Sequence, residues 1–180
     1  TFTNLQPATY NVRIRDAAHT GCAITLNPQL VITQPAQLAG AVANTDVTCF
    51  GASDGTITIT SPTGGYGTYE YSINGGSAWQ ASGNFTGLAP GYYNIQIRDA
   101  AHINCIIILN SSLRLTEPGQ LTGAVGKTDV TCFGANDGRI TISSPTGGYG
   151  TYEYSINGGG SWQLASTYTN LTPGTYAVRI

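Results

Sequence analysis

The sequence predicts an all-β chain made of tandem β-sandwich repeats of 83 residues, and three observations carry that prediction. The run from Thr45 to Gly76 returns at Thr128 to Gly159, and the offset of 83 holds without a gap wherever the chain can be compared with itself. Residues 45–97 are identical to residues 128–180 at 37 of 53 positions, so the chain is a repeat array and not one large domain. Within each copy, short runs alternate apolar and polar residues with a period of two, and no run has a helical period. The expected organisation is a C-terminal part of a first repeat over 1–37, a complete repeat over 38–120, and an N-terminal part of a third over 121–180. Both ends fall at the same place in the unit, and Ile180 lies inside an apparent strand. The chain therefore reads as a window on a longer array, with head-to-tail completion between molecules as the runner-up.

The elements of the complete repeat follow in order. Leu38–Asn44 is its opening strand. Gly55–Thr60 puts Ile57 and Ile59 on one face and Thr56, Thr58 and Thr60 on the other, with Arg139 in the next copy marking that second face as wet. Ala52-Ser53-Asp54-Gly55 reads as a turn with positive φ at the Asp-Gly pair, and Pro62 is expected to end the strand that follows. Tyr69, Tyr71 and Ile73 alternate with Glu70 and Ser72 before an Asn74-Gly75 turn. Tyr93, Ile95 and Ile97 alternate with Asn94, Gln96 and Arg98, and a last strand runs from Cys105 to Leu115. Leu88-Ala89-Pro90-Gly91-Tyr92-Tyr93 recurs at Leu5–Tyr10 and Leu171–Tyr176. A leucine, a turn and then a tyrosine opening a strand has the form of the tyrosine corner of immunoglobulin-like sandwiches, in which the phenol caps a backbone group. Tyr10, Tyr93 and Tyr176 are accordingly read as structural. Pro35 and Pro118 mark short junctions between units held at a defined angle.

Composition narrows the function. Only 9% of residues are charged, against about a quarter in ordinary globular domains, and the net charge is −2. Without a basic cluster the chain has no footprint for nucleic acid. No apolar run approaches the ~18 residues that would span a bilayer. A neutral, hydroxyl-rich surface suits an extracellular location.

The chain has four cysteines and no methionine. Cys22 and Cys105 are equivalent, as are Cys49 and Cys132, which reads as a disulfide framework in an oxidising compartment. Pairing Cys49 with Cys105 inside one unit is the favoured connectivity, with Cys22 and Cys132 paired outside the window. The alternative pairs Cys22 with Cys49 and Cys105 with Cys132.

Candidate sites are few. Asp16 with His19, and Asp99 with His102, read as hydrogen-bonded turns, since no nucleophile or third group stands near them. Asp46, Asp54 and Asp99 are the residues that calcium would need, but no dense Asp-x-Asp-x-Asp-Gly run accompanies them, so no cofactor and no metal is expected. Tyr66, Tyr69 and Trp79, with their copies Tyr149, Tyr152 and Trp162, could form an aromatic platform for sugar; Tyr69 faces inward by its alternation, and Trp79 and Trp162 are the candidate glycan contacts. Ile106 and Ile108 take outward positions that Ala23 and Thr25 occupy in the first copy, and form a candidate self-association strip.

A family likeness now stands on quoted residues. The succession T-D-V-T-C-F-G-A-N-D-G-x-I-T-I, G-G-x-x-x-Y-x-Y-S-I-N-G-G, L-x-P-G-x-Y and R-D-A-A-H-x-x-C, closed by a T-E-P or T-Q-P junction, resembles the SprB-type repeat. The turn Asp99–Cys105 is longer than that family's D-A-x-G-C. The resemblance covers essentially the whole chain. It implies part of a very large surface adhesin of gliding, flavobacteria-like bacteria, exported by the type IX route and displayed as filaments. The expected function is a non-catalytic filament or stalk module whose partners are neighbouring repeats and a homotypic bundle. The alternative is a glycan-binding module.

Overall fold

The computed structural model describes all 180 residues as strands, turns and connecting segments, with no helix. None of it is therefore a helix long and apolar enough to cross a membrane. The alternation seen in the sequence becomes eleven strands. The first partial unit gives β1 (Ala8–Arg15) and β2 (Ala23–Ile32). The central unit gives β3 (Ala39–Thr45), β4 (Gly55–Thr63), β5 (Tyr69–Ser72), β6 (Asn84–Leu88), β7 (Gly91–Asp99) and β8 (Ile106–Leu115). The last gives β9 (Gly119–Thr128), β10 (Gly138–Gly148) and β11 (Thr167–Leu171).

Two three-stranded antiparallel sheets, ordered β3-β4-β6 and β5-β7-β8, face each other in the central unit. The period of two directs Ile57 and Ile59 of β4, Tyr71 of β5, Ile95 and Ile97 of β7 and Leu115 of β8 into one buried cluster, with Leu38 closing it. This is a β-sandwich with its core between the inner faces. The last unit repeats the first sheet as β9-β10-β11, and the first unit repeats β7 and β8 as the hairpin β1–β2. That hairpin has no facing sheet in this chain, so Ile14 is 55% exposed where its equivalent Ile97 is fully buried.

Three local expectations are corrected. Pro62 does not end β4. Ser61 adopts φ 50°, the register jumps from Ala41 opposite Thr60 to Ala39 opposite Thr63, and Pro62 rides on the resulting bulge, where its missing N–H costs no ladder bond. Ser144 repeats the same φ. Gly55 is not at positive φ either; the positive φ of that turn belongs to Gly51 at 74°. Gly55 is required because a Cβ there would lie 3.0 Å from both the Leu115 Cδ1 and the Leu88 carbonyl oxygen. Ser72, expected on a polar outer face, is fully buried. Its hydroxyl oxygen accepts N–H groups from Asn74 (3.3 Å) and Gly76 (2.9 Å), which satisfies it inside the turn it organises.

The same substitution at equivalent positions should separate packed from open units. Ile97→Ala should cost about 2–5 kcal/mol in denaturant unfolding of the central unit, whereas Ile14→Ala should stay within about 0.5 kcal/mol. Equal losses would mean that β1–β2 is packed as the central sheet is.

Candidate functional site

Each unit has a leading end, where the chain enters β3, and a trailing end, where it leaves β8. At the leading end Asp99, the last residue of β7, is fully buried. Its Oδ2 accepts the Tyr66 N–H at 2.5 Å, and its Oδ1 accepts the N–H groups of Ala101 (2.9 Å) and His102 (3.1 Å). The His102 ring lies 4.1 Å from the Tyr66 ring, and its Nδ1 is 3.5 Å from Asp99 Oδ1. Ala100 donates to the Thr68 carbonyl, and Cys105 accepts from Asp99 N–H. The turn carrying Cys105 is thus clamped on the Gly64–Thr68 loop. In the first unit Asp16 keeps the local bonds to Ala18 and His19 but is exposed.

The trailing end is held by two other aspartates. Asp46 accepts the Thr116 N–H at 2.9 Å and its hydroxyl at 2.6 Å. Asp54 accepts the Thr48 N–H and hydroxyl, an arrangement copied by Asp137 and Thr131. Asp46, Asp54 and Asp99 therefore do not converge: each is spent on backbone of its own, with Asp99 at the opposite end of the sandwich from the other two.

On the outer face of β5 and β7, Glu70 and Arg98 are directly paired, with Nη2 to Oε2 at 2.6 Å. The Arg98 guanidinium lies 4.4 Å from the centre of the Trp79 ring, while Trp79 Nε1–H donates to the Gly76 carbonyl. One face of that indole is occupied by a cation, leaving less of it for a sugar to stack on. Trp162 is 45% exposed. The phenols of Tyr10, Tyr93 and Tyr176 donate to the carbonyls of Gln6, Ala89 and Thr172 at 2.7, 2.7 and 2.8 Å, each four residues upstream. Ile106 and Ile108 point outward from β8 and are exposed, while Ile107 and Leu109 turn inward.

The four thiols are free and exposed. Cys49 follows β3 at the trailing end, two residues after Val47, whose N–H donates to the Thr116 carbonyl. Cys105 precedes β8 at the leading end. The ten residues of β8 separate the two ends by about 30 Å, while a disulfide holds its Cα atoms roughly 4–7 Å apart. The expected Cys49–Cys105 bridge is not formed, and this topology forbids it. Pairs Cys22–Cys49 and Cys105–Cys132 fail more severely, because each joins the leading end of one unit to the trailing end of the next.

Between the central and last units the junction is built from both sides. Glu117 Oε2 accepts the Gly51 N–H at 2.6 Å, and the Tyr149 hydroxyl reaches the Val47 carbonyl in a long contact of 3.4 Å. A cleft of about 400 Å³ lies there, lined by Cys49, Phe50, Pro118, Leu121, Tyr149 and Thr151 among others. Neither contact was legible in the sequence, since Glu117 lies 66 residues from Gly51 and Tyr149 lies 102 from Val47.

Two predictions follow from these bonds. Tyr93→Phe removes a donor from the Ala89 carbonyl and should cost about 0.5–1.5 kcal/mol in unfolding; no loss would mean water replaces the phenol freely. The carboxyls of Asp99, Asp46, Asp54 and Asp137 lie below their ordinary value of 3.8. For Asp99 the Tyr66 N–H is the main cause; for the other three it is the hydroxyl of Thr116, Thr48 and Thr131 respectively. A folded value below the unfolded one stabilises above about 3.8 and is lost as pH falls through the folded value. The melting temperature should therefore fall on acidification below about pH 4, and Asp99→Asn should lower it at pH 7 while making that acid fall shallower. An acid limb unchanged in the variant would remove Asp99 from the set.

Comparison with known proteins agrees with the period. No curated protein and no solved structure matches the chain. The family model described as the SprB repeat matches at two places, residues 41–78 and 124–161, which are separated by the same 83 residues and cover β3 to the Asn74 turn and their copies. The chain is a tandem all-β array in which two segments match the SprB repeat.

Proposed function

We propose that the chain is a length of the stalk of an extracellular, cell-surface adhesin, with no catalytic role. The observation that carries this reading is the junction, where Glu117 of the short Pro-containing connection is held by the Gly51 N–H and Tyr149 of the last unit reaches the Val47 carbonyl of the central one. Contacts of that kind hold a neighbour at a set angle, as a stalk requires, where a flexible linker would not. Display outside the outer membrane after type IX export, in gliding bacteria, belongs to the same reading. Homotypic contact through the exposed Ile106 and Ile108 would gather such stalks laterally.

Ile106→Thr with Ile108→Thr should leave the melting temperature of the central unit nearly unchanged and abolish concentration-dependent association in sedimentation. Association equal to that of the parent chain would end the lateral-contact idea. Electron micrographs of the assembled material showing unit after unit in single file support the stalk; isolated, randomly oriented units overturn it.

A further inference from the structure

We propose that the cysteines form a disulfide across each junction, between the Cys49 position of one unit and the Cys105 position of the next. The argument rests on the repeat geometry and stands apart from the adhesin reading. Within a unit the cysteine turn lies on the Gly64–Thr68 loop: Asp99 takes the Tyr66 N–H, Ala100 N–H meets the Thr68 carbonyl, and His102 stacks on Tyr66. One repeat on, the same loop is Gly147–Thr151, and Gly148, Tyr149 and Thr151 form one wall of the cleft whose other wall holds Cys49 and Phe50. The loop is the same structure in both copies. The glycine pair has φ 79° and 60° in one and 83° and 57° in the other, and the Tyr69 and Tyr152 phenols each donate to the first glycine's carbonyl at 2.9 Å. A cysteine turn seated on Tyr149 and Thr151, as it is on Tyr66 and Thr68, enters this cleft and brings its thiol beside Cys49. The four exposed thiols then have a common explanation. Cys49 and Cys132 are the trailing halves of such bridges, and Cys22 and Cys105 are the leading halves.

Bridge formation converts two thiols to one S–S bond with loss of two protons and two electrons. A disulfide oxidant, supplied as glutathione disulfide, accepts them and leaves as two thiols.

The test extends the full chain after Ile180 by its own residues 98–120, restoring the turn and last strand of the third unit. Cys22→Ser, Cys105→Ser and Cys132→Ser leave Cys49 and the appended copy of Cys105. After treatment with glutathione disulfide, alkylation of the monomer should count no free thiol, where the reduced chain gives two. Peptide mapping should find Cys49 joined to the appended cysteine. Two alkylatable thiols in a folded monomer overturn the proposal. A second measurement uses the unextended chain carrying Thr151→Cys with the same three serines. A short bifunctional thiol reagent should bridge Cys49 and position 151 within one molecule. No intramolecular bridge would show that the cleft does not hold Cys49 within reach of the seat of the turn, and overturns the proposal even if the extended chain misfolds.

Discussion

The buried carboxylate of Asp99 is the interaction on which the order of the central unit depends. A carboxylate taken out of water is tolerable only when its lone pairs are filled, and three backbone N–H groups fill them here. Those donors come from two segments distant in sequence though adjacent in space: the loop after β4, where Tyr66 lies 33 residues before Asp99, and the turn after β7, two and three residues beyond it. One side chain therefore fixes the loop, the turn and the entry to β3 together. The constraint extends to Gly65, where a Cβ would sit 2.6 Å from Asp99 Oδ2 and 2.8 Å from Leu38. Gly65 is space reserved for a charge.

From that clamp the rest of the sandwich follows by ordinary packing. β4 and β7 are the central strands of their sheets, and their alternating isoleucines supply most of the buried cluster. The polar outer faces are not idle. Glu70, Arg98 and Trp79 form a row across β5 and β7, in which a cation is shared between a carboxylate and an indole. A surface with few charges places one of its arginines there.

Much of this architecture was legible in the sequence. The alternation at Gly55–Thr60, Tyr69–Ile73 and Tyr93–Arg98 located β4, β5 and β7 because one buried face forces a period of two. β6 carries no such signal, since Asn84-Phe85-Thr86-Gly87-Leu88 has too few apolar residues to alternate and Gly87 breaks the pattern with φ 70°. Pro62 reads as a terminator in the sequence because a bulge is invisible without the register of the partner strand. The partners of the cysteines are the feature least legible in the sequence. Spacing along the chain says how large a loop a bridge would close, but not at which end of a sandwich each thiol lies, and β8 puts Cys49 and Cys105 at opposite ends. The repeat-to-repeat contacts were equally hidden, because the residues that meet at the junction are distant in sequence and carry no shared pattern.

The direction of the first and last strands has a mechanical meaning. The chain enters the central unit at the leading end of β3 and leaves at the trailing end of β8. These strands lie side by side and run the same way, with Gly40 near Leu109 and Val47 bonded to Thr116. Tension along an array of such units therefore pulls β3 and β8 lengthwise past their partners β4 and β7. Ladder hydrogen bonds lie perpendicular to the strands, so this load strains them all at once in shear and cannot peel them open one by one. A unit threaded in this way resists stretching with its whole sheet, and the stiffness of a long array is set by the strand topology of a single repeat.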